Sequence, residues 1–158
     1  MKEKVKVAAV QMNPRILEKD QNLTDCIELI RIAANEGAQL IVFPECALTG
    51  YMFASLEEAL PSCESIPGSS TEAIIGECRK LNVYVVIGLL ELDEGNCYNA
   101  AILVGPKGVV AKCRKSHLLC LGVDRFVKQG DLQLVPHETD IGRIGMGICY
   151  DANFPEHA

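Results

Sequence analysis

The chain has 158 residues, 49% hydrophobic and 23% charged, which suits a single globular domain with a sizeable core. Its formal net charge of −6 argues against nucleic acid or an anionic membrane surface as a partner, because both demand a basic patch. The one basic cluster, Lys112, Arg114 and Lys115, is too short to reverse that.

The opening stretch MKEKVKVAAVQMNP alternates charged with apolar residues and carries neither a continuous apolar core nor a small-residue cleavage site. The longest apolar runs, such as VYVVIGLL, fall well short of the roughly 20 residues that span a bilayer. A soluble, cytoplasmic chain is expected. Cysteines stand at 26, 46, 63, 78, 97, 113, 120 and 149, with no C-x-x-C pair among them. Zinc sites take their ligands in tight pairs, and disulfide frameworks go with secretion, so free thiols acting as small hydrophobes are expected.

In chain order, KVAAVQM (6–12) reads as a buried strand broken by Asn13 and Pro14. Residues 20–36 read as a helix with a stripe at Leu23, Ile27, Ile30 and Ala34, and Gly37 is its stop. AQLIVFPE (38–45) is a short apolar strand of the kind covered on both faces. An irregular stretch over 52–68 holds a short helix at 55–60. A second helix starts after Ser69-Ser70-Thr71, with Ile74, Ile75, Cys78 and Leu81 on its apolar side and a Ser/Thr N-cap. Three strands follow at 83–92, 97–104 and 109–115, joined by DEGN and GPKG turns. A loop covers 116–131. LQLVPHET (132–139) and RIGMGICY (143–150) read as two last strands joined by a turn at 140–142. The order β-α-β-α followed by strands makes a mixed α/β domain, with no repeat or long linker.

Three stretches carry chemistry. Glu45 ends a strand in VFPECALTGY, where a partly dry carboxylate can serve as a general base. Lys115 ends another in AKCRKSHLL, where a fixed ammonium can stabilise an oxyanion. Cys149 closes MGICY, where strand gives way to turn and a nucleophile can be displayed. Each has a plainer reading taken singly: a solvated acid, a solvated lysine, a buried small hydrophobe. His117 invites a Cys–His dyad, although a histidine beside a loop commonly serves as a structural hydrogen-bond partner.

Together the ordered motifs Phe43-Pro44-Glu45 with Leu48-Thr49-Gly50-Tyr51, Arg114-Lys115-Ser116-His117-Leu118, and Cys149-Tyr150-Asp151 with Phe154-Pro155-Glu156 resemble the nitrilase, or carbon–nitrogen hydrolase, superfamily. VKVAAVQMNP and YNAAILVGPKG are similar to that family too, so the resemblance covers essentially the whole chain. It implies a Glu45-Lys115-Cys149 triad that hydrolyses a non-peptide C–N bond, an amide rather than a nitrile, through a cysteine thioester. The Tyr150 N–H is then a second oxyanion donor, and Tyr51 and Asn153 are candidate substrate contacts. No metal or organic cofactor is implied; the partner is a small-molecule amide or nitrile, and a homo-oligomer is expected.

The sequence departs from the family where Leu119-Cys120 replaces a common proline and where Asn153 stands in place of a common arginine. A second loop glutamate is missing as well. Asp124 and Asp131 are the acids available there, and neither is assigned that supporting role. The family fold is an α-β-β-α sandwich, of which this chain supplies mainly the first half. Residues 1–158 are therefore expected to be a single carbon–nitrogen hydrolase domain, incomplete at its C-terminus. The rival readings are a non-catalytic binding or scaffold module and a Cys–His hydrolase.

Overall fold

The computed structural model describes residues 4–132 and 135–157. Five strands form one sheet in the order β1-β2-β3-β4-β5: β1 (Val7–Ala9), β2 (Leu40–Val42), β3 (Tyr84–Asp93), β4 (Asn96–Gly105) and β5 (Gly108–Arg114). The first three run parallel, because a helix intervenes between each pair, and β3-β4-β5 are antiparallel, because short turns join them.

Helix α1 (Lys19–Asn35) and helix α3 (Ser69–Leu81) cover one face of this sheet; a short helix, α2 (Leu56–Ala59), lies between them in sequence. Cys26, Ile30, Ile74, Ile75 and Cys78 meet Ile41, Val85, Ile87, Leu89, Ile102 and Val104 there. Each large aliphatic side chain buried in that layer contributes roughly 1.5–3 kcal/mol. The buried line of α1 is Asn22, Cys26 and Ile30, rotated from the expected stripe, with Leu23, Ile27 and Ala34 half-buried on its flanks. Asn22 earns its burial by hydrogen bonds to the Arg15 backbone and to the Leu48 carbonyl, which apolar periodicity does not register. Gly37 follows α1 at φ +84°, the left-handed turn that favours glycine.

Helix α3 begins earlier than expected. Gly68 is its N-cap and Ser69 its first residue, while the Thr71 hydroxyl accepts from the Gly68 N–H at 2.6 Å. The serines and threonine therefore lie within the first turn, closing it from inside.

The other sheet face is met by a small hairpin, β6 (His137–Thr139) and β7 (Gly142–Ile144), and by the segment after it. Ile141, Ile144, Met146 and Ile148 pack against Tyr84, Leu103, Ala101 and Cys113. The last two strands are much shorter than the sequence suggests: β7 ends at Ile144, and Cys149 opens a 3-10 turn (Cys149–Asn153) instead of ending a strand. Gly145 and Gly147 in this stretch bring no side chains to bury. Positions 133 and 134 of the expected strand lie outside the described residues.

The basic cluster is consumed internally. Lys112 and Arg114 pair with the buried Glu91, and Lys115 pairs with two other carboxylates. Among the described residues no helix is long and apolar enough to cross a membrane.

Candidate active site

Glu45 enters the site on the turn that follows β2. That turn lies against β3 because residue 88 is glycine. A Cβ there would stand 2.4 Å from the Cys46 nitrogen and 2.9 Å from the Glu45 Cα, an impossible approach. The Leu48 N–H donates to the Gly88 carbonyl at 3.2 Å and ties the turn down.

Lys115 comes from the end of β5, its N–H still donating to the Asn99 carbonyl of β4 at 2.8 Å. Its side chain is 0% exposed, and its Nζ donates to Glu45 Oε1 and to Asp124 Oδ2, both at 2.6 Å. Asn99 Nδ2 bridges the same two acids, at 2.7 Å to Glu45 Oε1 and 2.8 Å to Asp124 Oδ1. The Leu119 N–H donates to Asp124 Oδ2 at 3.1 Å. Burial alone would pull the Lys115 ammonium down, but its bonds to Asp124 and Glu45 outweigh that and leave its pKa above the usual value. An ammonium has three donors; two are spent here, so one N–H remains for a further acceptor.

Cys149 and Glu45 together line a cavity of about 340 Å³ whose other walls include Phe43, Val86, Gly88, Ala101 and Ile148. The Cys149 backbone sits at φ +47°, a left-handed conformation that costs a non-glycine residue of order 1 kcal/mol. Partial burial, then the charge of Glu45 and contact with its carboxylate, raise the Cys149 thiol; Lys115 and the Tyr150 N–H pull against that rise. The resting sulfur is therefore a protonated thiol beside a carboxylate, an arrangement that needs a base to become nucleophilic. A larger hollow of about 470 Å³ between Val135-Pro136 and Gly145–Gly147 touches none of Glu45, Lys115 and Cys149.

Asp151 holds the cysteine turn in place. Its Oδ1 accepts from the Ser116 hydroxyl at 2.9 Å and from the His117 N–H at 2.9 Å, and its Oδ2 accepts from the Ile148 N–H at 3.1 Å. Burial acts to raise this carboxyl, but those bonds prevail and its pKa is lowered. The His117 ring has Nδ1 at 3.0 Å from Asp151 Oδ1 and Nε2 at 3.4 Å from Glu156, and it stacks on Phe154 at 3.6 Å between centroids. Its nitrogens face those acids rather than Cys149, so the ring has a structural occupation. His117, Asp151 and His157 bring possible metal-ligating atoms within 4.8 Å of one another, but Asp151 is already engaged by hydroxyl and backbone donors, so the group works as a clamp.

Of the other expected site residues, Tyr51 lies at the cluster's edge. Its hydroxyl donates to the Leu121 carbonyl at 3.0 Å and its ring lies 5.6 Å from Lys115 Nζ. The Tyr150 ring packs edge-on against Phe154, leaving only its backbone N–H toward Cys149. Asn153 is exposed at the end of the 3-10 turn. Two residues of the cluster went unassigned in the sequence, Asn99 and Asp124. Asn99 had a signal, since an amide in the middle of an apolar strand demands buried partners. Asp131, the other acid of that loop, is exposed beside Asp93, Lys112 and Arg114, away from Lys115 Nζ.

Residues 6–158 match the family model described as carbon–nitrogen hydrolase. The chain belongs to the carbon–nitrogen hydrolase family. It is 42% identical over 155 residues to a nitrilase of Pyrococcus abyssi, covering 98% of this chain and 59% of that protein. To the human Omega-amidase NIT2 it is 33% identical over 162 residues, covering 97% of this chain and 57% of the relative. Among solved structures, an N-terminal amidase superposes with a TM-score of 0.80 at 25% identity, over 97% of this chain and 41% of that one. An amidase from Nesterenkonia sp. shares the fold with a TM-score of 0.79, over 99% of this chain and 60% of its own. The chain thus spans rather more than half the length of the curated relatives it matches, and its α/β sheet is part of the fold of these carbon–nitrogen hydrolases.

Proposed function

We propose that Glu45, Lys115 and Cys149 are the reacting groups of an amide hydrolase that works through a cysteine thioester. In this reading Cys149 Sγ attacks the amide carbon, forming the C–S bond as the carbonyl π electrons move to oxygen. Glu45 takes the thiol proton. The free N–H of Lys115 and the Tyr150 N–H stabilise the oxyanion. The intermediate collapses with cleavage of the C–N bond, and Glu45 returns the proton to the leaving nitrogen. Water, deprotonated by Glu45, then attacks the thioester, and the carboxylic acid leaves as the thiol is restored.

The observation that carries this reading is the shared cavity of a protonated thiol and a carboxylate that is itself pinned by a buried ammonium. Asp124 and Asn99 act as positioning residues: the first balances and aims Lys115, and the second holds both acids at fixed spacing. Amide substrates are favoured over nitriles because Omega-amidase NIT2 and the amidases among the solved structures outnumber the one relative named a nitrilase among those compared. A small ω-amide, with its carboxamide on an apolar stem, suits a cavity walled by Phe43, Val86 and Ala101. Homo-oligomer formation and a cytoplasmic location belong to the same proposal.

The test is ammonia release from a panel of ω-amides, carbamoyl compounds and nitriles, paired with intact mass of the acyl-enzyme. Turnover and a trapped adduct on Cys149, both lost in Cys149→Ala, support the reading. An adduct on Cys120 or Cys97 instead overturns it.

A further inference from the structure

The strongest unassigned chemistry lies at a second pair of sulfurs. Cys63 follows the 3-10 turn Leu60–Ser62, and Cys97 is the second residue of β4. They are 34 positions apart in sequence, and their sulfurs are 2.9 Å apart. A covalent S–S bond is about 2.05 Å, so closure needs a movement of only about 1 Å. The two cysteines occupy unlike positions. Cys97 is buried with Phe53, Leu90 and Val123, while Cys63 lies half-buried at the margin of the same cluster.

We propose that Cys63 and Cys97 form a redox pair: a peroxide oxidises Cys63, and Cys97 resolves it to an intramolecular disulfide. In the first step the Cys63 thiolate attacks a peroxide oxygen. The S–O bond forms, the O–O bond breaks, and hydroxide leaves as water after taking a proton. In the second, the Cys97 sulfur attacks the Cys63 sulfur and gives up its proton. The S–S bond forms and the S–O bond breaks, releasing a second water. The two thiols lose two electrons in all and the peroxide gains them; a thiol or phosphine reductant reverses the bond.

The electrostatics fit this division of labour. The hydrogen bond from Cys97 holds the Cys63 thiol below its usual range, and the Lys19 ammonium acts in the same direction against partial burial. The same bond and burial raise Cys97. Elsewhere burial pushes Cys26 and Cys78 up to about 12 and Cys113 to about 11, which makes them poor peroxide targets. The pair also bears on the candidate active site. Cys97 shares a face of β4 with Asn99 two residues on, and the Cys97 carbonyl accepts from the Lys128 N–H at 2.8 Å. The bond would staple the segment before α3 to the strand that carries Asn99.

The experiment treats the reduced chain with hydrogen peroxide, quenches it with N-ethylmaleimide and maps its peptides without reduction. The expected product is a peptide pair joined through Cys63 and Cys97, formed about tenfold faster than oxidation of exposed Cys120 and reversed by tris(2-carboxyethyl)phosphine. In Cys63→Ser, Cys97 should stay reduced under the same treatment. Recovery of both residues as maleimide adducts while Cys120 or Cys149 is oxidised overturns the proposal, as does linkage of Cys63 to any other cysteine. The wild-type peptide map decides the matter even if the variant does not fold. None of these readouts depends on amide turnover, so the pair stands or falls apart from the proposed hydrolysis.

Discussion

The two sides of the candidate active site are built on different principles. The charged side, Glu45, Lys115, Asn99 and Asp124, hangs from β2, β4, β5 and the loop after β5 and is cross-braced by four hydrogen bonds of 2.6–2.8 Å. The sulfur side rests on a segment with little strand pairing and an exposed cysteine at positive φ, fastened chiefly by the buried Asp151 to Ser116 and His117, with Glu156 also near the His117 ring. Preorganised charge is expensive to assemble and cheap to keep, so it belongs on the sheet. In the proposed mechanism a nucleophile that must attack and then release can sit on the looser half, provided its turn is anchored.

This contrast can be broken in order of effect. Cys149→Ala should lower turnover of any productive amide by about four orders of magnitude or more, since the proposed mechanism uses the residue in both chemical steps. It should scarcely change the melting temperature, because the side chain is exposed. A large fall in stability would mean that the sulfur side is structural. Lys115→Met should lower turnover on the proposed reading and, unlike Cys149→Ala, should also cost roughly 3–5 kcal/mol in denaturant unfolding, because it leaves Glu45 and Asp124 without their shared cation. The pH profile sharpens this. A lysine whose folded pKa is raised stabilises fully below its unfolded value, near 10.5, and that contribution fades as pH climbs through the folded value. Wild type should therefore lose stability in that alkaline range, and Lys115→Met should not show that component.

Asp151→Ala should cost about 1–3 kcal/mol and slow alkylation of Cys149 while leaving Lys115 and Glu45 undisturbed. Equal rates in variant and wild type would remove Asp151 as the anchor. Its depressed pKa gives the matching acid signature: the contribution is present above its unfolded value, near 3.8, and is lost as pH falls below that. The smallest effect is far from the site. Glu77 is pulled to about 2 by Arg31 and Lys80, so its pairing stabilises above about 4.5 and is lost on acidification toward 2. Because those cations are more than half exposed, Glu77→Gln should cost only about 0.5–1 kcal/mol at neutral pH.

The same contrast governs what the sequence revealed. Where apolar period and turn residues agree, as in the β3-β4-β5 meander, the elements fall within about a residue of expectation, whereas α3 starts three residues early because its serines and threonine form the first turn. Around Gly145 and Gly147 an apparent strand pattern had too few side chains to bury, and the chain bends into the Cys149 turn instead. Glu45, Lys115 and Cys149 became candidates only through the order of three motifs, because each is ambiguous by itself. Asp124 was visible as an acid but carried no address. Its place beside Lys115 depends on how the loop folds over Asn99, a contact between positions 25 apart. Asn22 teaches the same lesson in α1, where a polar residue takes a core position by satisfying backbone groups that apolar periodicity ignores.

Gly88 has a consequence for motion. A carboxylate on a loop ordinarily samples the wide, fast excursions of its loop, and its distance to a partner blurs accordingly. Here the missing side chain lets the Glu45 turn lie in van der Waals contact with the middle of β3, so its fluctuations follow those of a central strand. The Leu48 amide, bonded to the Gly88 carbonyl, should then exchange its hydrogen on the slow timescale of the sheet.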